Sequence, residues 1–201
     1  MTTKSKTAAE LLAELRQNPE FSARAKLRDE QNEKIQESSR NEQIQLLSEL
    51  KELGILVGSV WDLVNSKGSY SAAIPILIRH LSEPHSGGVK EGIVRALTIE
   101  NAGPEVLREL IKEFVKQNDD SENSLKWVLG NAIATVAKAS DADTLVKLAT
   151  DRANGKARDM IISSLPRVVK DKARLNAILD RLANDKDVRE FVDRARSGPR
   201  S

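Results

Sequence analysis

The chain has 201 residues, of which 3% are aromatic and 31% charged, and its 32 basic and 30 acidic side chains leave a formal net charge of +2. This near balance disfavours a nucleic-acid-binding or anionic-membrane-binding surface spread over the whole chain, so either function would need a local basic patch. The sequence contains no cysteine, which excludes disulfides, thiolate nucleophiles and cysteine-ligated metal sites.

The apolar residues are mostly Leu, Ile, Val and Ala, which are the usual residues of packed helices. The sequence therefore predicts an all-α fold. Charged residues interrupt the first segment, and no later apolar run approaches the ~18 residues that a membrane span needs. We expect a cytoplasmic protein with no membrane partner.

Residues 1–18 are predicted to form a short helix or a flexible arm, and residues 19–53 one long charged helix. Asn18 followed by Pro19 is a typical helix start, with Asn as the N-cap and Pro at the first helical position. Ile35 is the only aliphatic residue larger than Ala from 28 to 43, which argues against a coiled coil. The helix is either solvated along its middle or an arm that docks a partner or a second copy.

Residues 54–70 are predicted to form a hinge that contains one short capped helix. Gly54 is expected to cap the end of the long helix. Ser59 stands three residues before Asp62, which is the spacing of a capping box at a helix N-terminus. This structural role explains Asp62 better than a catalytic one, and Trp61 is expected to pack the long helix onto the later part of the chain.

From residue 71 to residue 196 the sequence alternates short apolar-striped helices, and residues 197–201 are expected to be a disordered tail. The first helices of successive pairs are predicted at 74–81, 106–114, 144–149 and 175–183. The second helices are predicted at 88–97, 124–133, 156–165 and 187–195. Apolar anchors in the first helices recur at intervals of 33, 35 and 33 residues, at Leu77, Leu110, Leu145 and Ile178.

A helix-pair period of ~30 to 40 residues is typical of an α-solenoid, in which each pair buries its apolar stripe by stacking on its neighbours. The pattern resembles HEAT-like repeats, including their Asp-rich turns and the basic residue early in the second helix. The "VWDLVN" segment before "AAIPILIRHL" is similar to bacterial HEAT-repeat proteins that carry no established activity. The resemblance implies a short α-solenoid of about four pairs preceded by the long charged helix.

The basic residues early in the second helices occupy equivalent positions, which are Lys90, Lys126, Arg158 and Arg189. They form either a basic ladder on a binding face or, as the HEAT-like resemblance implies, structural pairs with turn aspartates and neighbouring carbonyls. The two readings stay open at the level of sequence.

The next positions in the same register define a candidate partner-binding face that is mixed in sign. The residues proposed for it are Glu91, Arg95, Trp127, Asn131, Asp159 and Arg194. Trp127 lies out of phase with the apolar stripe of its helix, so it is either the lid of a contact between repeats or a hot spot for a partner.

His80 and His85 flank a turn, with Glu83 the only acid between them. We interpret both histidines as solvated turn residues rather than metal ligands. We also find no pattern that predicts a catalytic residue or a cofactor.

The sequence therefore favours a non-catalytic scaffold that binds another protein, in one version as an inhibitor or immunity-type protein. A nucleic-acid-binding or DNA-repair HEAT-like module is the main alternative, with Trp61, Asp62 and Trp127 as its candidate residues. An enzyme or chaperone for a small cofactor is a third. The partner and the oligomeric state are not predicted.

Overall fold

A computed structural model describes the chain at residues 7–8, 18–66, 68–99, 102–118 and 123–197. All regular secondary structure in these described segments is helical. The chain divides into two compact units, Met1–Glu42 and Gln43–Ser201. Most of the predicted arm at 1–18, and the tail after residue 197, lie outside the described residues.

The first unit contains helix α1 (Pro19–Glu42), which starts as the sequence predicts. The side-chain oxygen of Asn18 accepts hydrogen bonds from the backbone N–H groups of Glu20 at 2.9 Å and Phe21 at 3.3 Å. No residue of α1 is buried within the structure, and Ile35 is exposed. The composition explains this, because the middle of the helix offers almost no apolar stripe.

In its described residues, the second unit consists of short helices and three 3₁₀ segments, Ser71–Ala73, Ala139–Asp141 and Arg152–Arg158. Its described α-helices are α2 (Ile44–Glu52), α3 (Val60–Val64), α4 (Ile74–Ser82), α5 (Gly87–Leu97), α6 (Pro104–Lys116), α7 (Leu125–Val136), α8 (Ala142–Thr150), α9 (Asp159–Val168), α10 (Lys172–Leu182) and α11 (Arg189–Ser197). Each of the eight repeat helices predicted from the sequence overlaps one helix from α4 to α11.

Helices of the second unit contact neighbours that are close in sequence. Helices α3, α5, α7, α9 and α11 contact one another in that order, and α4, α6, α8 and α10 each contact the helix that comes next in the chain. Helix α2 contacts α4, and α4 contacts α6. The four apolar anchors that define the sequence interval are all buried. Their equivalents in the second helices are completely buried, at Ile93, Leu129, Ile161 and Val192.

The predicted single helix over 19–53 is divided in the structure, because α1 ends at Glu42 and α2 begins at Ile44. The residue between them, Gln43, is buried, and its side-chain oxygen accepts a 2.8 Å hydrogen bond from the backbone N–H of Val60. Val60 begins α3, so Gln43 satisfies one of the N–H groups that a helix start leaves unpaired.

Gly54 ends α2 in the way the sequence predicts. Its φ is +78°, a conformation that favours glycine. The N–H of Gly54 bonds to the carbonyl of Lys51 at 2.9 Å, and that of Ile55 to the carbonyl of Leu50 at 3.0 Å. These two bonds form a Schellman motif, which satisfies the last carbonyls of α2 and turns the chain toward α3. Among the described residues, none of the helices combines the length and the apolarity that a membrane crossing requires.

Candidate functional site

The N-terminus of α3 is closed by a capping box made of Ser59 and Asp62. The Ser59 hydroxyl accepts from the Trp61 N–H at 3.2 Å, and the Asp62 carboxylate accepts from the N–H groups of Gly58 at 2.8 Å and Ser59 at 3.0 Å. The carboxylate is thus engaged with the positive end of the helix, as a structural cap requires.

Trp61 lies where α3 packs against α5. The Arg95 guanidinium stands 5.9 Å from the centre of the indole ring and pairs with Glu91 at 2.8 Å. Gly92 permits the close approach of the two helices, because a Cβ there would lie 2.5 Å from a Val60 methyl carbon. Two predicted face residues, Glu91 and Arg95, are therefore partly exposed and already paired with each other.

Trp127 lies in the first turn of α7, as Trp61 does in α3, and it is half-buried. Its indole N–H donates a 2.9 Å hydrogen bond to a carboxylate oxygen of Asp159 on α9. Asp159 is itself buried. This bond places the Trp127 side chain in a contact between α7 and α9. It also corrects the expectation that Asp159 lies open on a binding face.

Gly130 lets α7 approach the 3₁₀ segment Arg152–Arg158, which precedes α9. A Cβ at this residue would lie 2.6 Å from the backbone carbonyl oxygen of Ala157 and 3.5 Å from the Phe114 ring. A contact of 2.6 Å is too short for a methyl group, so only glycine fits without a shift of the backbone.

A groove of about 560 Å³ opens one helical turn beyond Trp127, between α7 and α9. Its lining mixes polar and apolar residues, the apolar ones being Ala134, Val136, Ala137 and Met160. The polar ones include Asn131, Thr135, Lys138, Ser163 and Arg167. Arg167 donates to the backbone carbonyl of Ala137 at 2.8 Å and also to that of Ala134. The groove therefore has an ordered wall where α7 ends.

The sequence places Asn131 on the candidate face, and the same register reaches Ser163, but it misses Thr135, Lys138, Met160 and Arg167. Lys138 and Met160 lie outside the repeated register of the second helices. Arg167 follows Pro166 near the end of α9, where the sequence shows no site-like spacing. Met160 and Arg167 reach Asn131 only through the packing of α9 against α7.

Several of the basic residues that occupy equivalent positions early in the second helices make contacts within the fold. Lys90 lies 3.6 Å from the buried carboxylate of Glu113. Lys126 is buried, with its ammonium 5.2 Å from the centre of the Phe114 ring. Arg189 is exposed and donates to the carbonyl of Ala183 at 3.3 Å. These side chains do not line one open basic face.

Arg158 makes the most buried of these contacts, with 1% of its surface exposed. It donates to Asp185 at 2.8 Å, to the carbonyl of Gly155 at 2.7 Å and to that of Ala149 at 3.3 Å. The hydrogen bond from Arg158 is the main reason that the pKa of Asp185 lies below its usual range. Arg152 approaches the same carboxylate oxygen at 3.4 Å. The turn acid and the basic residue thus form one ion pair between successive helix pairs.

Arg194 is the predicted face residue that remains most open. It lies on α11 and is exposed, with its guanidinium 5.2 Å from the centre of the Phe191 ring. Glu91, Arg95, Asn131 and Arg194 therefore keep some surface accessible, whereas Asp159 does not.

The interpretation of the two histidines as solvated turn residues is wrong. His80 is fully buried, and the His85 side chain is only 6% exposed. Both pack where α4 ends, since the apolar face of α4 carries His80 inward and the next turn folds His85 back onto it. Burial lowers the pKa of His80 and outweighs the opposing effect of the Glu83 charge.

No protein-family model, curated protein or solved structure matches this chain. The HEAT-like resemblance accordingly stays a prediction.

Proposed function

We propose that this protein is a non-catalytic scaffold of HEAT-like helix pairs that binds another protein along the exposed side of its second helices. The fold class is supported by the ~33-residue interval and by the contacts that α3, α5, α7, α9 and α11 make in chain order. Helix pairs that contact mainly their neighbours present an extended surface, which suits a macromolecular partner better than a small one.

The observation that carries the proposal is the groove between α7 and α9. Asn131 and Ser163 offer hydrogen-bonding groups on facing helices, and Met160 adds an adaptable apolar contact. The half-buried Trp127 lies one turn away on α7, held by Asp159. A pre-ordered aromatic beside a mixed polar and apolar depression is typical of the centre of a protein interface.

The charges on the same side favour a protein over a nucleic acid. Glu91 and Arg95 neutralise each other, and Arg167 is directed to backbone carbonyls. Glu190 and Arg194 again carry opposite signs on α11. A groove that follows phosphates needs repeated unpaired cations, so the nucleic-acid-binding or DNA-repair role is the less favoured alternative. The inhibitor or immunity-type role and the cytoplasmic location stay predictions.

A matched pair of substitutions tests the groove. Ser163 lies exposed in α9 on the groove wall, and Ala177 lies exposed in α10. Ser163→Arg and Ala177→Arg add the same bulk and charge to a helix interior, where Arg is well tolerated. Partners captured from the source cell would be purified and titrated against both variants and the wild type.

We expect Ser163→Arg to weaken the complex with the purified partner by about tenfold or more, since a filled groove removes a central contact. Ala177→Arg should bind as the wild type does. Equal binding by all three proteins would refute the groove as the interface. Tight binding to duplex DNA that falls steeply with salt, without a protein partner, would favour the nucleic-acid alternative.

A further inference from the structure

Four titratable side chains converge where α4 ends and meets α2. Nδ1 of His80 lies 2.8 Å from a carboxylate oxygen of Glu83 and 3.1 Å from Nε2 of His85. Nε2 of His85 lies 3.7 Å from the same Glu83 oxygen. On the other edge of the His80 ring, Nε2 lies 3.3 Å from a carboxylate oxygen of Glu49 on α2.

The backbone explains why these residues meet. His80 occupies the last turn of α4, and Glu83 follows the helix in an extended conformation. The His85 N–H then bonds to the Glu83 carbonyl at 3.0 Å, which closes a tight turn around Pro84. The two imidazole rings stack with their centres 5.4 Å apart. Both histidines are thereby held against a single carboxylate.

A neutral His80 ring cannot donate a hydrogen bond to both carboxylates. A neutral imidazole has one N–H and one lone pair. If Nδ1 carries the proton and donates to Glu83, the bare Nε2 faces the Glu49 carboxylate. If Nε2 carries the proton and donates to Glu49, the bare Nδ1 can accept from His85 Nε2 but also faces the Glu83 carboxylate at 2.8 Å. A cation placed at Nδ1 removes the conflict in the second arrangement.

We propose that His80 Nδ1, His85 Nε2 and the Glu83 carboxylate bind one divalent transition-metal ion of the Zn²⁺ class. The three donor atoms all lie within 4.8 Å of one another. Donors bound at 2.0–2.1 Å in a tetrahedral site are separated by about 3.3 Å. The observed separations of 2.8, 3.1 and 3.7 Å surround that value.

The donor set selects the class of metal. Two imidazole nitrogens and one carboxylate suit zinc and its neighbours, whereas Ca²⁺ and Mg²⁺ prefer oxygen donors. The Glu83 side chain is 32% exposed, so a water molecule has access to the fourth position. The site also lies at the C-terminal end of α4, where the helix dipole favours positive charge.

Glu49 supplies the carboxylate that accepts a hydrogen bond from a metal-bound histidine in such a site. Metal-bound histidines usually donate their second ring N–H to a carboxylate, which fixes the ring and its tautomer. Glu49 stands at hydrogen-bonding distance from His80 Nε2 and is itself held by Arg79. The bound ion would thus join the turn after α4 to helix α2.

The composition of the chain makes the test clean. His80 and His85 are the only histidines, and there is no cysteine. Tag-free protein stripped with a chelator would be titrated with ZnCl₂ by calorimetry and with CoCl₂ by absorption spectroscopy. The imidazole resonances in NMR spectra report on the same two side chains.

The variants are His85→Gln, Glu83→Gln and Glu49→Gln. Glu109→Gln is the matched control, because Glu109 forms an i,i+3 ion pair with Lys112 on α6.

We expect one Zn²⁺ per chain and shifts of both imidazole resonances. His85→Gln should lower the affinity by about 100-fold or more, and Glu49→Gln by about 10- to 100-fold as an outer-contact loss. Glu83→Gln should also weaken binding, and Glu109→Gln should not. Circular dichroism checks that each variant is folded, and the exposed Glu83 provides a variant that leaves the buried rings intact.

Zinc binding that survives His85→Gln and Glu83→Gln unchanged would overturn the proposal. So would the absence of imidazole shifts at millimolar Zn²⁺, or a preference for Ca²⁺ over Zn²⁺. These outcomes do not depend on the protein-binding groove between α7 and α9, which is formed by other residues.

Discussion

The two ends of the second unit bury polar groups between successive helix pairs in different ways. At the C-terminal end, Arg158 and Asp185 form a complete ion pair, and Trp127 donates to Asp159. At the N-terminal end, the His80 ring lies between the Glu49 and Glu83 carboxylates and the His85 ring. Buried charge is costly unless it is paired. The C-terminal end pairs its charges within the chain, whereas the N-terminal cluster gathers three possible metal-binding atoms within 4.8 Å of one another.

The largest effect should come from removing Arg158. Arg158→Ala leaves Asp185 without its main partner in a buried setting, and we expect a loss of about 4 kcal/mol in the free energy of unfolding. Urea unfolding measures it. Arg174→Ala is the control, because the Arg174–Asp143 pair is exposed and should contribute little to stability. Equal effects of the two variants would mean that burial does not distinguish these pairs.

The pH dependence of stability also tests the contribution of the Arg158–Asp185 ion pair. The hydrogen bond from Arg158 lowers the pKa of Asp185 in the folded chain. This contribution is therefore complete above the unfolded value of about 3.9 and is lost as the pH falls through the lower folded pKa.

Asp185→Asn should be less stable than the wild type by about 3 kcal/mol at neutral pH, and the gap should narrow below about pH 4. Unfolding curves recorded across the acidic range would check this. A gap that stays constant with pH would show that the carboxylate contributes through packing alone.

Alanine substitutions at Gly130 and Gly92 should also differ in how much stability they remove. Gly130→Ala drives a methyl group into the Ala157 carbonyl, whereas Gly92→Ala meets a Val60 side chain. A backbone atom can move only with its segment, so we expect about 2 kcal/mol for Gly130→Ala and about 1 kcal/mol for Gly92→Ala. Thermal unfolding of both variants tests the order, and a reversed order would contradict it.

Substitutions of the two tryptophans should give a smaller difference in stability. Trp127→Phe removes the donor to the buried Asp159 carboxylate, with an expected cost of about 1.5 kcal/mol beyond the lost ring area. Trp61→Phe keeps an aromatic ring beneath Arg95, and its cost should be about 0.5 kcal/mol. If both variants lose the same stability in urea, the hydrogen bond to Asp159 contributes little.

The last prediction concerns the cap of α3. Asp62→Ala should lower stability by about 1 kcal/mol, because two N–H groups lose their acceptor. Calorimetric melting measures the loss. Loss of a biochemical activity without a change in melting would instead indicate a functional carboxylate.

Much of the helical organisation could be predicted from local pattern. The eight repeat helices follow from the spacing of apolar residues, and the caps at Asn18, Gly54 and Ser59 follow from residue types with specific backbone roles. The break at Gln43 escaped prediction, because its cause is a hydrogen bond to Val60, 17 residues away.

The candidate sites show the same difference between what local sequence pattern predicts and what tertiary packing decides. The repeated register placed Lys90, Lys126, Arg158 and Arg189 at equivalent positions but did not distinguish a ladder from structural pairs. The sequence also placed Asn131 on the face, while Met160 and Arg167 join it only through the packing of α9. The histidines looked solvated because a short polar turn usually is.

The sequence by itself determined the all-helical class, the approximate positions of the helices from α4 to α11 and the near-cancelled charge, because periodicity and capping act over a few neighbouring residues. The tertiary structure decided which polar side chains became buried and which partners they met. Trp127 and Asp159 are 32 residues apart, and Glu49 and His80 are 31 apart. No local rule relates residues at that separation, so only the packing of one helix pair on the next brings them together.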